Sequence, residues 1–428
     1  MRLGAESNVI HGLPGGTVGD DERLQILLSR QNQEVYKKRK IQVPHGKVAR
    51  FSTCSMLDCT RAGVRGASCA ECRRHFCAIH LSKKYQTCQS RFELSDAEWE
   101  KSLNDEFWEL LCHVNTHELI RLATKLNDGI KCKFELGNHI GADSLMGCAN
   151  YNAWLCFENG ERWIFRTPRT GFSDIPLNLV EYSVMSEYAT LKFLESSKVP
   201  ASKPFAYDIG SDSTNRVGVG YILMQALPGV PFYAPKASAS QKKHIIKQLA
   251  EVLIEFSKHP LPLAGSLVIK DDEVIVGPVA RNRFVALETY GPLDTALEYL
   301  ISISEQHLDL IADGQLYPDY PVEGFLFFHL VRQNIQSLVS KDLPRQFFLK
   351  HVDDKGDHLL VDENFNITSI IDWQFARAVP ASEAFGPSYI TADLMSLYGS
   401  NTGVTGDDHD LATDLRDKGS YNLVTTLL

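Results

Sequence analysis

The segment that decides the fold is FFLKHVDDKGDHLLVDENFNITSIIDWQFA, which runs from Phe347 to Ala376. Short apolar runs are separated by polar turn residues, a pattern that predicts three strands joined by two loops. The first loop, His351 to His358, contains five Asp and His residues in eight positions, and Asp372 follows the last apolar run. Carboxylates at both ends of such a tight β unit could converge on one point. That arrangement suits phosphoryl transfer, in which one Asp orients a hydroxyl nucleophile and another holds the metal on the nucleotide.

The motifs HVDDKGDH, LLVD and IIDW resemble the catalytic segment of the aminoglycoside phosphotransferase family, relatives of the protein and choline kinases. The usual form in that family is H-x-D-x-x-x-x-N, a short hairpin, and then I-D-W or I-D-F. The resemblance places Asp353 on the catalytic base, His358 on the metal-binding Asn and Asp372 on the main metal-binding Asp. His358 departs from the pattern, and Mg²⁺ prefers hard oxygen ligands, so a second metal site there is weak, altered or lost. The alternative is an Asp-rich hairpin turn without chemistry.

The elements before this segment follow the order typical of that family. From Lys131 the sequence alternates apolar and polar residues as a strand does, and a loop with three glycines and a hairpin around Asn159 and Gly160 come next. Strand, glycine loop and hairpin form the part of a kinase small lobe that covers nucleotide phosphates, because small residues let backbone N–H groups approach the anion.

Further site residues follow from the resemblance. Arg166, in WIFRTPR, lies where kinases place a phosphate-contacting Lys, although Arg and Lys are not equivalent. Glu187, in the next predicted helix, would pair with Arg166, unless both are unrelated surface charges. Met224, Gln225 and Ala226 match the segment that joins the two lobes, where backbone groups hold an adenine ring.

A cysteine-rich segment near the N-terminus predicts a metal site. Six of the ten cysteines lie between Cys54 and Cys88, with the spacing C-x4-C-x9-C-x2-C-x4-C-x2-H-x7-C. Thiolates two to four residues apart can bind one tetrahedral Zn²⁺, and such clustering favours metal over disulfides. About forty residues bury too little apolar surface to fold alone, so zinc would supply most of the folding energy. The predicted zinc ligands are Cys54, Cys59, Cys69, Cys72, Cys77, His80 and Cys88.

The core of this segment resembles the AN-one-type zinc fingers, which hold two zinc ions in a cross-brace. That resemblance implies a His at the position where this chain has Gln86. Glutamine is a poor zinc ligand, so the site of Cys69, Cys72 and Cys88 is three-liganded, recruits His75 or is empty. The other site is complete in the sequence and consists of Cys54, Cys59, Cys77 and His80.

Length and charge point to more than one domain. A chain of 428 residues normally forms two or more domains, and 44% hydrophobic with 23% charged residues is ordinary for a globular protein. The net charge of −9 is uneven: Arg30 to Leu94 contains 14 Lys and Arg against 4 Asp and Glu, so this part carries +10 and the remainder −19. A basic front and an acidic body suggest different partners, or only a solvated basic surface.

The sequence shows no signal-peptide pattern and no apolar run near the roughly 18 residues that span a membrane. We therefore expect a cytoplasmic protein without a membrane partner. The basic run KKRK, Lys37 to Lys40, leaves nuclear import open, but four basic residues favour a soluble tail over nucleic-acid binding.

As a whole the sequence predicts an α+β fold of the two-lobed protein-kinase type, with a small β-rich lobe and a large helical lobe, preceded by a small zinc-bound module. We expect a disordered basic tail over residues 1–50 and a zinc finger over residues 51–92. The small lobe with its leading helices would span residues 95–227, and the large lobe residues 228–428.

The reaction implied by the resemblance moves the γ-phosphoryl group of ATP to a hydroxyl of a small molecule, with Mg²⁺ or Mn²⁺. Asp353 would accept the hydroxyl proton, Asp372 would hold the ion, and His351 would brace the loop through a backbone hydrogen bond. Two alternatives stay open. A pseudokinase-like scaffold is suggested by Arg166 and His358, which replace a Lys and an Asn. A zinc-finger protein that binds nucleic acid or ubiquitin is suggested by the cysteine segment, for which we expect a ubiquitin-like partner.

Overall fold

The structure is a computed structural model, which describes residues 50–66, 69, 74–81, 95–140, 144–169, 175–280, 291–339, 345–392 and 404–428. The predicted basic tail, apart from Arg50, lies outside the described residues, as do the predicted zinc ligands Cys72 and Cys88. The chain divides into two compact units, and the predicted domain limits stay predictions. The smaller unit comprises Met1–Ser90 and Leu300–Leu338, and the larger comprises Arg91–Tyr299 and Val339–Leu428.

The larger unit begins with two helices, α1 (Asp96–His113) and α2 (Thr116–Leu126), both of which the sequence predicts. The start of α1 is set by a capping box: the Ser95 side chain accepts the N–H of Glu98, whose carboxylate accepts the N–H of Ser95. The Asn115 side chain begins α2 by accepting a backbone N–H of the first turn at 3.2 Å.

A five-stranded antiparallel sheet follows and makes up the small lobe together with these helices and α3 (Leu177–Leu194). Its strands are β1 (Cys132–Glu135), β2 (Asn150–Phe157), β3 (Arg162–Pro168), β4 (Pro204–Asp208) and β5 (Tyr221–Gln225). Their order in the sheet is β1-β2-β3-β5-β4. The turn between β2 and β3 lies at Asn159 and Gly160 as predicted, and Gly160 has a φ of +86°, which glycine adopts without strain.

One hydrophobic core joins the sheet to the two leading helices. Phe107 and Leu110 of α1 and Leu119 of α2 pack with Tyr151 and Trp163 from the strands, and all five are almost fully buried. Each large apolar side chain buried in this way contributes about 1.5–3 kcal/mol. The leading helices are therefore part of the core of the small lobe and not an appendage to it.

The second half of the chain contains two small sheets and six helices within the described residues. The strands are β6 (Val230–Pro231), β7 (Gly265–Lys270), β8 (Glu273–Gly277), β9 (Phe347–Lys350), β10 (Leu359–Val361), β11 (Ile367–Ile370) and β12 (Arg377–Pro380). The helices are α4 (Ala239–Ser257), α5 (Ala296–Ala312), α6 (Pro321–Leu338), α7 (Ala381–Ala384), α8 (Gly406–Asp417) and α9 (Tyr421–Leu427). The sheets have the orders β8-β7-β12-β9 and β11-β10-β6. None of the helices formed by the described residues is long and apolar enough to cross a membrane.

The predicted strands of the catalytic segment are present as β9, β10 and β11, and the α+β fold class is confirmed. The sequence analysis missed β12, because an Arg and a Pro do not read as a buried strand. Arg377 is nevertheless buried, since its guanidinium donates to Tyr299 at 2.9 Å and to Glu383 at 3.2 Å. A buried charge is tolerated where its hydrogen bonds are satisfied in this way.

The smaller unit combines the described part of the cysteine segment with α6 and most of α5. Arg50 donates two hydrogen bonds to the Asp313 carboxylate, at 2.9 and 2.6 Å. Arg65 donates its Nε–H to the Gln315 side chain at 2.6 Å and its backbone N–H to the Gln315 carbonyl at 2.9 Å. The cysteine segment is thus tied to the turn between α5 and α6, a contact that no local pattern predicts because the partners are 263 and 250 positions apart.

Because of Glu255, near the end of α4, we expect the free energy of unfolding to change with pH in the acidic range. A carboxylate is disfavoured at this end of a helix, but Glu255 accepts hydrogen bonds from the Lys258 ammonium at 2.9 Å and the Lys198 backbone N–H at 3.1 Å, and it lies 3.2 Å from His259 Nε2. The hydrogen bonds of Lys258 and His259 lower the pKa of Glu255 from its usual 4.5 to about 2. Its contribution to folding is therefore present above the usual pKa and is lost as pH falls toward 2.

We expect Glu255→Gln to lower the Tm by about 2–4 °C at pH 7 and by clearly less at pH 3, measured by circular dichroism. Glu273→Gln, at an exposed position on β8, is the control and should leave the Tm unchanged at both pH values. The same loss of Tm for Glu255→Gln at pH 7 and pH 3 would contradict the prediction.

Candidate active site

A cleft of about 1350 Å³ in the larger unit contains most of the predicted site residues. It lies among the five-stranded sheet, α3 and the catalytic segment. This volume is large enough for a nucleotide together with a small acceptor. The predicted residues that line the cleft are Arg166, Glu187, Met224, Asp353, His358 and Asp372.

Asp353 lies in the loop between β9 and β10, and 53% of its side chain is accessible. The Lys355 ammonium lies 2.9 Å from Oδ2 of Asp353 and 3.6 Å from Oδ2 of Asp357. The hydrogen bond with Asp353 raises the pKa of Lys355, so the ammonium stays charged beside the carboxylate. The sequence analysis missed Lys355. The pattern that could have identified it is a basic residue two positions after the predicted base.

Asp372 lies two residues after β11, in a turn where its φ is +63°. Left-handed backbone at a residue other than glycine costs about 1–3 kcal/mol and is found where the surrounding structure enforces it. Here the Trp373 indole N–H donates to the Ile370 carbonyl at 2.8 Å, and Nε2–H of His351 donates to the Ile371 carbonyl at 2.9 Å. The backbone hydrogen bond expected of His351 is present, and it holds the residue directly before Asp372.

Arg166 of β3 connects Glu187 of α3 to Asp372. Its Nε–H donates to Glu187 at 3.1 Å, and its Nη2 group donates to Asp372. Burial alone would lower the pKa of Arg166, but the two carboxylates raise it above its ordinary value. Burial raises the pKa of Glu187 to about 7, even with Arg166 beside it. The predicted Arg166–Glu187 pair is therefore present, and Asp372 is a second partner of the same guanidinium.

His358 is buried, and its ring stacks on that of His351 with the ring centres 4.3 Å apart. Its Nδ1 atom accepts the backbone N–H of Gly356 at 3.3 Å. Burial lowers the pKa of His358 to about 2, so the ring is neutral and carries its one proton on Nε2. In this arrangement neither nitrogen has a lone pair free for a cation. The assignment of His358 to Mg²⁺ stays a prediction that the geometry does not favour.

The segment predicted to hold adenine is only partly directed at the cleft. The N–H of Gln225 donates to the Lys203 carbonyl at 2.8 Å, and the N–H of Ala226 donates to the Arg162 carbonyl at 3.1 Å. Neither residue lines the cleft, whereas Met224 and Leu227 do. Strand pairing ends at Leu227, whose N–H has no protein partner within the described part of the chain. Leu227 is therefore a candidate that the sequence analysis missed.

Four predicted zinc ligands come together in the smaller unit. The ligand atoms of Cys54, Cys59, Cys77 and His80 all lie within 4.8 Å of one another. Nδ1 of His80 is 3.3 Å from Sγ of Cys54 and 3.6 Å from Sγ of Cys77. A tetrahedral zinc ion with bonds of about 2.3 Å to sulfur and 2.0 Å to nitrogen has S···N edges of about 3.5 Å. The donor set and its spacing therefore fit zinc.

Of the three cysteines of the second predicted zinc site, the structure describes one. Cys69 is buried in one small core with Cys54, Phe76 and Cys77, but it is not one of the four residues whose ligand atoms group together. Cys72 and Cys88 lie outside the described residues. Nδ1 of His75 is buried and has no hydrogen-bond partner among the residues that the structure describes. The three alternatives for this site stay open.

Residues 146–397 match the model of the phosphotransferase enzyme family, APH. The match covers more than half of the chain, and the protein belongs to this family. It is accordingly a phosphotransferase, and the membership supports ATP-dependent transfer to small molecules. The matched residues include every predicted residue of the cleft, but they begin after α1, α2 and β1.

Solved structures of phosphotransferases are similar at low identity, and no curated protein matches the chain. The GDP complex of a mutant aminoglycoside 2′-phosphotransferase-IIIa is 17% identical, with a TM-score of 0.40 over 73% of this chain and 84% of that chain. The gentamicin complex of APH(2″)-IIa is 14% identical, with a TM-score of 0.40 over 72% and 83%. Macrolide 2′-phosphotransferase from Brachybacterium faecium is 15% identical, with a TM-score of 0.35 over 73% and 97%. The family assignment rests on the family model.

Proposed function

We propose that this protein transfers the γ-phosphoryl group of ATP to a hydroxyl of a small molecule, with Asp353 accepting the hydroxyl proton. The observation that carries the proposal is that Asp353, Asp372 and Arg166 line the same cleft. A base, a metal-binding carboxylate and a phosphate-binding cation are the groups that phosphoryl transfer requires.

Asp353 is suited to act as the base by its access and its surroundings. Half of its side chain is accessible, so an acceptor hydroxyl can approach to hydrogen-bond distance, orient on the carboxylate and give up its proton there. The Lys355 ammonium donates a hydrogen bond to this carboxylate at 2.9 Å. The same ammonium lies where it can offset negative charge that develops on the transferred group.

Asp372 and Arg166 would act on the phosphates. The carboxylate oxygens of Asp372 fit Mg²⁺ or Mn²⁺, which supply charge neutralisation to the phosphates when bound. Arg166 uses Nε and Nη2 in its bonds to Glu187 and Asp372, and its Nη1 hydrogens have no partner in the described ranges. Those hydrogens can donate to phosphate oxygens, while Glu187 holds the guanidinium in place.

The base of the nucleotide would bind at the end of β5. Met224 offers an apolar contact, and the N–H of Leu227, which has no partner among the described residues, offers a backbone donor to a ring nitrogen. Gln225 and Ala226 stay proposed as neighbours of the base through groups other than their N–H, which the sheet already uses.

A screen of ATP consumption tests the proposal. Aminoglycosides, other amines, sugars and nucleosides are offered one class at a time, with Mg²⁺ and with Mn²⁺, and ADP formation is followed. We expect ADP formation that depends on one class of acceptor. ATP binding without acceptor-dependent turnover in any class would contradict the proposal.

A pseudokinase-like scaffold is the second candidate, favoured by two observations. The hydrogen bond that Nδ1 of His358 accepts disfavours this ring as a metal ligand, and Arg166 already pairs with Asp372. A scaffold would bind ATP equally well with and without divalent ions. Thermal stabilisation by ATP, measured in both conditions, separates the scaffold from the enzyme.

The four-ligand cluster is proposed to hold a structural zinc ion. Structural zinc contributes directly to folding, so Cys77→Ser should lower the zinc content by about one ion per chain and lower the Tm. Cys112→Ser, at an exposed cysteine on α1, is the matched control and should change neither quantity. Unchanged zinc content in Cys77→Ser would contradict the assignment. A ubiquitin-like partner for this segment stays a prediction that no contact of the described residues supports.

A further inference from the structure

A buried ion pair joins helix α1 to the residue directly after β3. Glu106 of α1 and Arg169, directly after β3, expose only 4% and 6% of their surface. Arg169 donates Nε–H to Oε1 of Glu106 at 3.0 Å and Nη2–H to Oε2 at 2.7 Å. An Arg–carboxylate pair with two parallel hydrogen bonds is both strong and directional.

The same Arg holds the backbone of the loop. Its Nη1–H donates to the Gly147 carbonyl at 2.7 Å, and its backbone N–H donates to the Ala149 carbonyl at 2.9 Å. Gly147 and Ala149 line the active-site cleft. Arg169 therefore links α1 to the part of the glycine loop that lines the cleft.

Two further contacts fix the ends of this loop. Asn150, buried at the start of β2, donates to the Gln374 side chain at 2.9 Å, two residues after Asp372. At the other end, His139 stacks on Phe107 of α1 with the ring centres 3.8 Å apart. The loop is thus braced on one side by the turn that carries Asp372 and on the other by α1.

Backbone N–H groups bind phosphate well only when the backbone is already held in the right conformation. Gly147 has no side chain with which to fix its own position, so two backbone hydrogen bonds constrain it: its N–H donates to the Asn150 carbonyl at 2.9 Å, and its carbonyl accepts from Arg169 at 2.7 Å. Replacing the Glu106 carboxylate removes a buried charge that accepts two hydrogen bonds from Arg169, which loosens the hold on the guanidinium and, through it, on the Gly147 carbonyl. Glu106 lies ahead of residues 146–397, which match the family model, whereas Arg169 and Gly147 lie within them.

We propose that Glu106 is a positioning residue for phosphate binding, which acts through Arg169 to hold Gly147 to Asn150 against the phosphates of the nucleotide. The inference rests on the proposed function, since it requires a nucleotide in this cleft. Glu106 touches no substrate. Its effect is confined to the phosphates, because the base binds at Met224 and Leu227 on another part of the cleft wall.

The test compares ATP with adenosine, using the full chain and isothermal titration calorimetry. Glu106→Gln keeps the shape of the side chain but removes its charge and one of its two acceptor positions. We expect the affinity for ATP to fall about tenfold and that for adenosine to change by less than about twofold. A role confined to folding would weaken both ligands by the same factor or neither.

Two further variants complete the design. Glu109→Gln, at an exposed position on α1, should leave both affinities unchanged. Arg169→Lys keeps the charge but cannot hold the carboxylate and the Gly147 carbonyl together, so it should weaken ATP selectively and provides the test if Glu106→Gln does not fold. Equal losses for ATP and adenosine, or no loss in either variant, would overturn the inference alone. A wild-type chain that binds neither ligand would overturn the proposed function and the inference with it.

Discussion

Asp353→Asn should lower kcat for acceptor phosphorylation by about 10²–10⁴-fold, the usual contribution of a general base. The amide has the size of the carboxylate but cannot take up the proton of the acceptor hydroxyl. ATP affinity should change by less than about twofold, because Asp353 faces the acceptor side of the reaction. The measurement is ADP formation with the best acceptor from the screen, together with ATP titration by calorimetry.

Glu363→Gln is the matched control for Asp353→Asn. Glu363 is an exposed carboxylate in the hairpin between β10 and β11, within the same catalytic segment but outside the cleft. It should keep full activity. If Asp353→Asn retained a rate within about tenfold of that of the unaltered protein, Asp353 would not be the general base. The main role that the resemblance assigns would then be wrong.

Asp372→Asn should remove the effect of Mg²⁺ on ATP affinity and lower kcat by about 10³-fold, because a metal-bound phosphate contributes several kcal/mol to the transition state. The carboxylate is half exposed, with 50% of its side chain accessible, so an ion can reach it from the cleft. In the absence of an ion the carboxylate pairs with Arg166. An ion therefore competes with Arg166 for the Asp372 carboxylate. The neutral side chain of Asn lacks the negative charge that attracts the ion.

Asp353→Asn serves as the control for Asp372→Asn, since it should retain the full dependence of ATP binding on Mg²⁺. Thermal unfolding in both variants checks that the fold is intact. A Mg²⁺ effect on ATP binding that survives in Asp372→Asn would assign the ion to another carboxylate. A protein with no Mg²⁺ effect in the first place would favour the pseudokinase-like scaffold.

The catalytic segment was open to prediction because its residues are close in sequence. Asp353 and Asp372 lie within one β unit, and the strands predicted on either side of them are present as β9, β10 and β11. The Cys/His cluster was predictable for the same reason, since Cys54, Cys59, Cys77 and His80 follow a spacing that places thiolates on tight turns.

The segment at the end of β5 shows where sequence patterns stop being informative. Its residues were identified, but the choice among them depended on which backbone N–H groups the sheet uses. Gln225 donates to Lys203, just before β4, and Ala226 donates to Arg162 of β3, and within the described ranges Leu227 is the first whose N–H has no protein partner. Backbone hydrogen bonds across a sheet carry no signature in the side chains of the donor, so only the strand register reveals the free group.

The sequence by itself determined the class of chemistry, the grouping of Cys54, Cys59, Cys77 and His80, and the positions of most strands and helices, because those features depend on short-range spacing and on apolar periodicity. The tertiary structure decided how the charges are paired. Arg166 meets Asp372 across 206 positions, and Glu106 meets Arg169 across 63, so both pairs exist only because separate elements pack together. Buried charges must find partners wherever the fold brings them, and the fold sets those partners by geometry that no local pattern records.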